Sequence, residues 1–313
     1  CPRSFRSLIY DFFMDLCVLC VGGMSGAVKG AESPRSVRPK LVYWTVSMTR
    51  HIFKKFARSE TLPGRLRIQP RDVALLQNLA SFRFLNTEQI VALHPGGMRN
   101  LRRRLNWLYH SGYVERPVQQ TLSSFSSSHI IYGLGEKGAE LLFEDLKERA
   151  EKIKLVKLDQ KTSFPSFAHA LMISQFHAVL VLALKDTGGK ITRWSQGYDL
   201  RDMLRVRGDN PALVPDAFFT IEKDNGLWHF FLEADRSTEA HHIFLSKMKT
   251  YWEWSRNKTY NGHLNITRFR VLTITPSEER KENLRLTTKN ADTRREGSAM
   301  YLFACEKDYS LKT

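Results

Sequence analysis

From Arg71 onward the apolar positions Val73, Leu75, Leu76, Leu79 and Phe82 recur at helical spacing and predict a first helix. Asn86 with Gln89 three residues later has the form of a capping box for a second helix, whose buried side is Ile90, Val91 and Leu93. His94-Pro95-Gly96-Gly97 breaks the chain. A third helix is predicted over Met98 to His110, with Leu101, Leu105 and Leu108 inward and Arg99, Arg102, Arg103 and Asn106 in a separate stripe at spacings of three and four. Arg104 falls nearer the buried side. Tyr113 to Pro117 and Ile130 to Leu134 then read as two strands joined by a Ser-rich tip around Ser123 to Ser128, and Glu136 to Leu146 as another helix.

The second half has a different rhythm. Lys147 to Lys161 is charged with mixed sign, and Thr162 to Phe167 adds Ser and Pro, which predicts a linker over 151–167. His169 to Lys185 is almost continuously apolar, a core helix stopped by Asp186-Thr187-Gly188-Gly189. Trp194 to Arg207 fits neither period. Leu213 to Ile221 and Leu227 to Asp235 read as strands around the hairpin signal Lys223-Asp224-Asn225-Gly226. Ser237 or Thr238 is expected to cap a helix running through Lys247, Lys249 and Tyr251 to about Ser255. Phe269 to Thr275 predicts a buried strand, Ser277 to Leu286 a helix and Met300 to Cys305 a last strand.

The N-terminal stretch follows neither pattern. Leu8 to Gly23 is apolar except for Asp11 and Asp15, two acids that suit neither a membrane span nor a signal peptide. Ser25 to Lys40 has no periodicity and reads as loop or disorder. Met48 begins a more ordinary basic lead-in, so residues 1–64 are expected to be a disordered or non-native extension, with translation starting at Met48 as one hypothesis. The four cysteines are Cys1, Cys17, Cys20 and Cys305; they build no disulfide framework, and the Cys17-x-x-Cys20 spacing lacks the second pair that a zinc site needs.

Charge sharpens the picture. The 313 residues carry 48 Lys plus Arg against 32 Asp plus Glu, a net +16, which favours a polyanionic partner, nucleic acid before membrane. Residues 61–120 concentrate the excess, with nine arginines against Asp72, Glu88 and Glu115. Helix, helix, arginine-rich helix and β-hairpin is the order of a winged helix-turn-helix over 65–150, whose third helix can enter a major groove. Arg99, Arg102, Arg103 and Asn106 are the expected DNA contacts. A solvated arginine face, or a winged helix that binds protein, is the plainer alternative.

The second module, 168–313, brings acids together. Asp216 lies early on one strand and Glu233 late on its antiparallel partner, and alternation puts Asp235 on the face of Glu233. Convergent carboxylates at a strand end suit Mg²⁺, which takes oxygen ligands and bridges to phosphate, so Asp216, Glu233 and Asp235 are the candidate metal ligands. The plainer reading makes Pro215-Asp216 a turn, and Glu233 and Asp235 caps for the next helix.

Pro215-Asp216 with Glu233-x-Asp235 resembles the PD-(D/E)xK nuclease core. That resemblance implies a restriction-endonuclease-like α/β domain with a mixed central sheet, behind the winged helix in an α+β whole. It departs where the family has lysine, since Asp235 stands there; Lys247 or Lys249 on the following helix could reach back, and these two complete the candidate catalytic set. The longer string fits a narrower group. His169, Trp194, Pro215-Asp216, Phe-Leu-Glu-Ala-Asp-Arg-Ser-Thr-Glu over 231–239, Lys247-x-x-x-Tyr251, Arg280 and Asn283-Leu284-Arg285 closely resemble the replication-relaxation family over about residues 65–306.

That resemblance implies a cytoplasmic DNA-binding protein of a bacterial plasmid or integrated mobile element, acting in replication, relaxation or transfer, in company with DNA and other replication or mobilisation proteins rather than a membrane. Three readings stand: a DNA-binding protein whose nuclease-like domain no longer cuts, an active Mg²⁺-dependent endonuclease or nickase, and a winged-helix transcription regulator. The absent lysine favours the first, the clustered acids the second.

Overall fold

The computed structural model describes residues 56–59, 66–94, 96–122, 130–205, 211–257, 264–291 and 298–309. Of the extension read over 1–64, residues 1–55, Met48 included, lie outside them, as does the Ser-rich tip at 123–128. The described chain is a mixed α+β structure with nine α-helices and two sheets, one of them mixed.

The first half is built by local signals. Helix α1 (Pro70–Phe82) buries Leu75, Leu76, Leu79 and Phe82. Strand β1 (Phe84–Asn86) leads into α2 (Thr87–Leu93), and the Asn86/Gln89 capping box forms in both directions, the side chain of each accepting from the backbone N–H of the other at 2.8 Å. Helix α3 (Met98–His110) buries Leu101, Leu105, Leu108 and Tyr109. Strands β2 (Val114–Glu115) and β3 (Ile131–Leu134) follow, separated by a 3₁₀ turn at Val118–Leu122. The three strands pair antiparallel in the order β1-β3-β2. Gln120 patches the ladder, its amide group both donating to and accepting from the Ile131 backbone.

Helix α4 (Glu136–Leu142) lies so close to β2 that Gly138 has no room for a side chain: a Cβ there would stand 2.4 Å from the Tyr113 carbonyl oxygen. The charged stretch read as a linker is helical as α5 (Leu146–Lys161), where only Val156 is fully buried. Asp145 caps it through the Glu148 N–H.

Helix α6 (Phe164–Asp186) starts five residues before the expected His169 and joins the halves. Its Ala178 packs among Leu75, Leu79 and Phe82, whereas Met172, Ile173, Phe176, Val179, Leu180 and Leu184 cover the second sheet. It is the one described helix long and apolar enough to cross a membrane, but 78% of its most apolar window is buried within the protein, as in a core helix.

The second sheet runs β4 (Lys190–Gln196), β5 (Ala217–Lys223), β6 (Gly226–Ala234), β7 (Arg270–Thr275), β8 (Tyr301–Cys305). The first three are antiparallel and the last three parallel. The β5–β6 hairpin closes over Asp224 and Asn225 at φ 51° and 59°, the paired positive φ of a two-residue I′ turn. Helix α6 covers one face. The other receives α7 (Gly197–Met203), α8 (His241–Asn257) and α9 (Glu278–Thr288), with Phe218, Phe231, Phe244, Met248, Tyr251 and Leu284 in its core. The expected cap at Ser237 or Thr238 does not form. Ser237 adopts φ 63°, and α8 begins only at His241.

Candidate functional site

Two places gather the sequence candidates. On α3, Arg99, Arg102, Arg103 and Asn106 are all exposed, and the three arginines form no ion pair among the described residues. Arg104 instead turns inward, its Nε 2.8 Å from Asp72, whose carboxylate is buried. Asn106 is pinned from the hairpin side. Arg116, nearly buried, donates to Asn106 Oδ1 at 2.9 Å while its guanidinium lies 4.2 Å from the centre of the Tyr109 ring.

The second place is the end of the mixed sheet. Asp216, just before β5, donates its backbone N–H to Leu232 and accepts from the Ala234 N–H at 2.8 Å, so it extends the β5–β6 ladder. His169, in the second turn of α6, lies 3.2 Å from the same oxygen. The hydrogen bond to Asp216 raises the imidazole pKa, with burial opposing and Glu233 assisting. Glu233 is buried at the end of β6. One of its oxygens accepts from Lys247 Nζ at 3.1 Å and the other from the Tyr251 hydroxyl. Burial, reinforced by Asp216, pushes its carboxyl pKa up; Lys247 and Tyr251 pull the other way.

Lys247 reaches back because α8 begins late, which puts it in the second turn rather than the third. It also holds Glu239 at 3.0 Å. Burial works against its charge, but the two carboxylates more than offset that and its pKa is raised. Tyr251, one turn on, is fully buried, and burial followed by the Glu233 charge raises its phenol well above the ordinary value.

Asp235 is on the Glu233 side of the sheet, as alternation requires, yet has other company. Arg280 of α9 takes both its oxygens at 2.8 Å, and the Ser237 N–H donates to one of them. Lys249 is exposed, two residues from Lys247 and so on another face of α8, beside Trp252 and Arg256. The structure thus brings together Asp216, Glu233 and Lys247, seats Asp235 in a neighbouring ion pair and leaves Lys249 outside.

The fit of these acids to Mg²⁺ can be tested on their partners. The positions where a cation would neutralise Glu233 and Asp235 hold an ammonium and a guanidinium, and only Asp216 has an oxygen with no protein donor among the described residues. In this arrangement the residues do not fit a divalent ion. Among the described residues, the group of three ligand atoms that does converge is elsewhere: Glu278, Cys305 and Asp308, with Lys281 already 2.7 Å from Glu278.

Beside Asp216 opens a cleft of about 630 Å³ between α1, α5, α6 and α7, which His169, Gln196, Asp199 and Arg83 help to line. Sequence reasoning did not place His169 against Asp216, Tyr251 against Glu233 or Arg280 against Asp235. The available signal was the spacing Lys247-x-x-x-Tyr251, which puts both side chains on one helix face. His241 and His242 are exposed, and Tyr251 and Trp254 are core.

A family model described as replication-relaxation matches residues 76–268, well over half of the chain. The match spans α3, the Asp216–Glu233 hairpin, Lys247 and Tyr251. No curated protein sequence and no solved structure matches the chain.

Proposed function

From the premise that this chain belongs to the replication-relaxation family, we propose that it is a DNA-binding protein of a plasmid or mobile element, acting in replication, relaxation or transfer. In this reading the first half is a winged helix-turn-helix, with α3 as the recognition helix and β2–β3 as the wing. The observation that carries it is the exposed stripe of Arg99, Arg102 and Arg103, which make no ion pair among the described residues although the chain supplies 32 acids. Unneutralised guanidinium groups on one helix face suit phosphates and guanine edges.

The second half is, in the same reading, a nuclease-like fold that holds DNA without cutting it. Lys247 and Arg280 neutralise the acids that would otherwise hold Mg²⁺. Tyr251 is no alternative nucleophile, since its hydroxyl is buried, donated to Glu233 and raised in pKa. A second reading, an active Mg²⁺-dependent nickase, draws on the lysine that does stand beside Glu233 and Asp216.

Supercoiled plasmid incubated with the protein and Mg²⁺ or Mn²⁺ separates the two. Intact plasmid with a retained gel shift is the expected result. Nicking or linearisation abolished by Asp216→Ala and by Glu233→Ala would overturn it in favour of the nickase.

A further inference from the structure

Helix α3 carries a second basic face. With about 100° between successive residues, Asn100, Arg103, Arg104 and Trp107 lie roughly a quarter-turn round from the Arg99–Asn106 stripe, on the side of α1. A pocket of about 370 Å³ lies there, walled by Gln69, Arg71, Asn100, Arg103, Arg104 and Trp107. Three of these are arginines, and Asp72 is the one acid in the wall, so its net charge is 3 − 1 = +2.

The four charges are not equivalent. Arg104 is committed: it pairs with buried Asp72 through two nitrogens and donates to the Arg67 carbonyl at 2.6 Å. The pair is a fixed, neutral floor. Arg71 is exposed and, among the described residues, donates only to the His94 carbonyl, at a long 3.4 Å. Arg103 is exposed and forms no ion pair among the described residues. Gly96 makes room for the Arg71 guanidinium: a Cβ at this residue, whose φ is +149°, would stand 2.8 Å from Arg71 Nη2.

Two guanidinium groups with no carboxylate partner among the described residues, two side-chain amides and a half-buried indole around one pocket suit a tetrahedral monoanion, which a forked donor binds through two oxygens. We propose that this pocket is a phosphate site that takes a backbone phosphate of bound duplex DNA, on the strand beside the groove faced by Arg99, Arg102 and Asn106. Arg103 lies at the border of the two faces and serves both. The proposal rests on the DNA-binding reading and adds Arg71, Asn100 and Gln69 to the contact surface. Phosphate contacts of this kind set the register of a recognition helix without reading bases.

The test is the salt dependence of duplex binding by the full chain, followed by fluorescence anisotropy. Arg71→Gln should weaken binding by a similar factor for every duplex sequence and lower the slope of log K against log salt by about 0.9, one phosphate contact. Arg71→Lys should keep the wild-type slope. An unchanged slope in Arg71→Gln, with wild-type protein binding normally, overturns the phosphate site alone. Absence of duplex binding by wild-type protein overturns it together with the DNA-binding reading. Inorganic phosphate or a mononucleotide is the other source of the same chemistry. If either saturates a fluorescence change that Trp107→Phe abolishes, while the duplex slope is untouched, the pocket serves a free anion and the proposal falls.

Discussion

Lys247, in the second turn of α8, places its ammonium 3.1 Å from the carboxylate of Glu233 at the end of β6. The glutamate side chain is almost wholly buried, and the lysine is shared with Glu239. Removing the cation strands a buried charge. Lys247→Met should therefore destabilise the fold by about 3 kcal/mol, and adding Glu233→Gln should restore much of that. Urea unfolding of the two single variants and the double variant measures the coupling. Equal and additive losses would mean that the pair is not coupled.

The histidines pull stability in opposite directions with pH. His169 has a raised pKa in the fold through Asp216, so its contribution is complete below the ordinary 6.5 and is lost as pH rises through the raised value. Glu233, raised mainly by burial, acts with the same sign from above its ordinary 4.5. His177 is the reverse. Stacked 3.5 Å from the Trp194 ring and buried, it is lowered to about 3 by desolvation, so stability is lost as pH falls from 6.5 toward that value. His177→Phe should protect the protein at pH 4 to 5, and His169→Gln should flatten the decline above pH 6.5. Thermal midpoints across pH 4 to 8 check both.

The stripe on α3 gives a binding prediction. Arg102→Ala with Arg103→Ala should weaken duplex binding and reduce the salt slope by about 1.8, two phosphate contacts' worth, if both arginines meet phosphates. Neither side chain supports the core, so the urea midpoint should hold. Filter binding at several salt concentrations reads the slope directly.

Arg116 tests whether a buried residue tunes that surface from behind. Arg116→Lys keeps the charge but loses the planar stack on Tyr109 and the fork that reaches Asn106. A loss of about 1–2 kcal/mol in stability is expected, with weaker DNA binding although Arg116 is nearly buried. Asn106→Ala at wild-type stability separates the surface effect from the fold effect.

What could be read from the sequence was local. The Asn86/Gln89 box, the limits of α3 and the turn at Asp224-Asn225 are decided by residues within four positions of one another, and all three form as expected. Strand β1 escaped notice because three residues carry no period; pairing with β3 defines it. Strand β4 is half-exposed along most of its length, so its alternation is faint. Helix α5 is polar almost all round and so resembled a linker. At the site, the hairpin brings Asp216 and Glu233 to the same end of the sheet, as their positions on antiparallel strands imply, but Asp235 is claimed by Arg280, 45 positions away, and no spacing rule reaches that far.

Helix α6 belongs to both halves of the molecule. Its 23 residues span about 34 Å. Near one end His169 touches Asp216; midway the Ser174 hydroxyl grips the Phe82 carbonyl at the end of α1, and Ala178 sits in the core of the first half. One continuous helix therefore serves the acids at the sheet end and the core of the first half at once, so a substitution that shifts it along its axis is felt in both places.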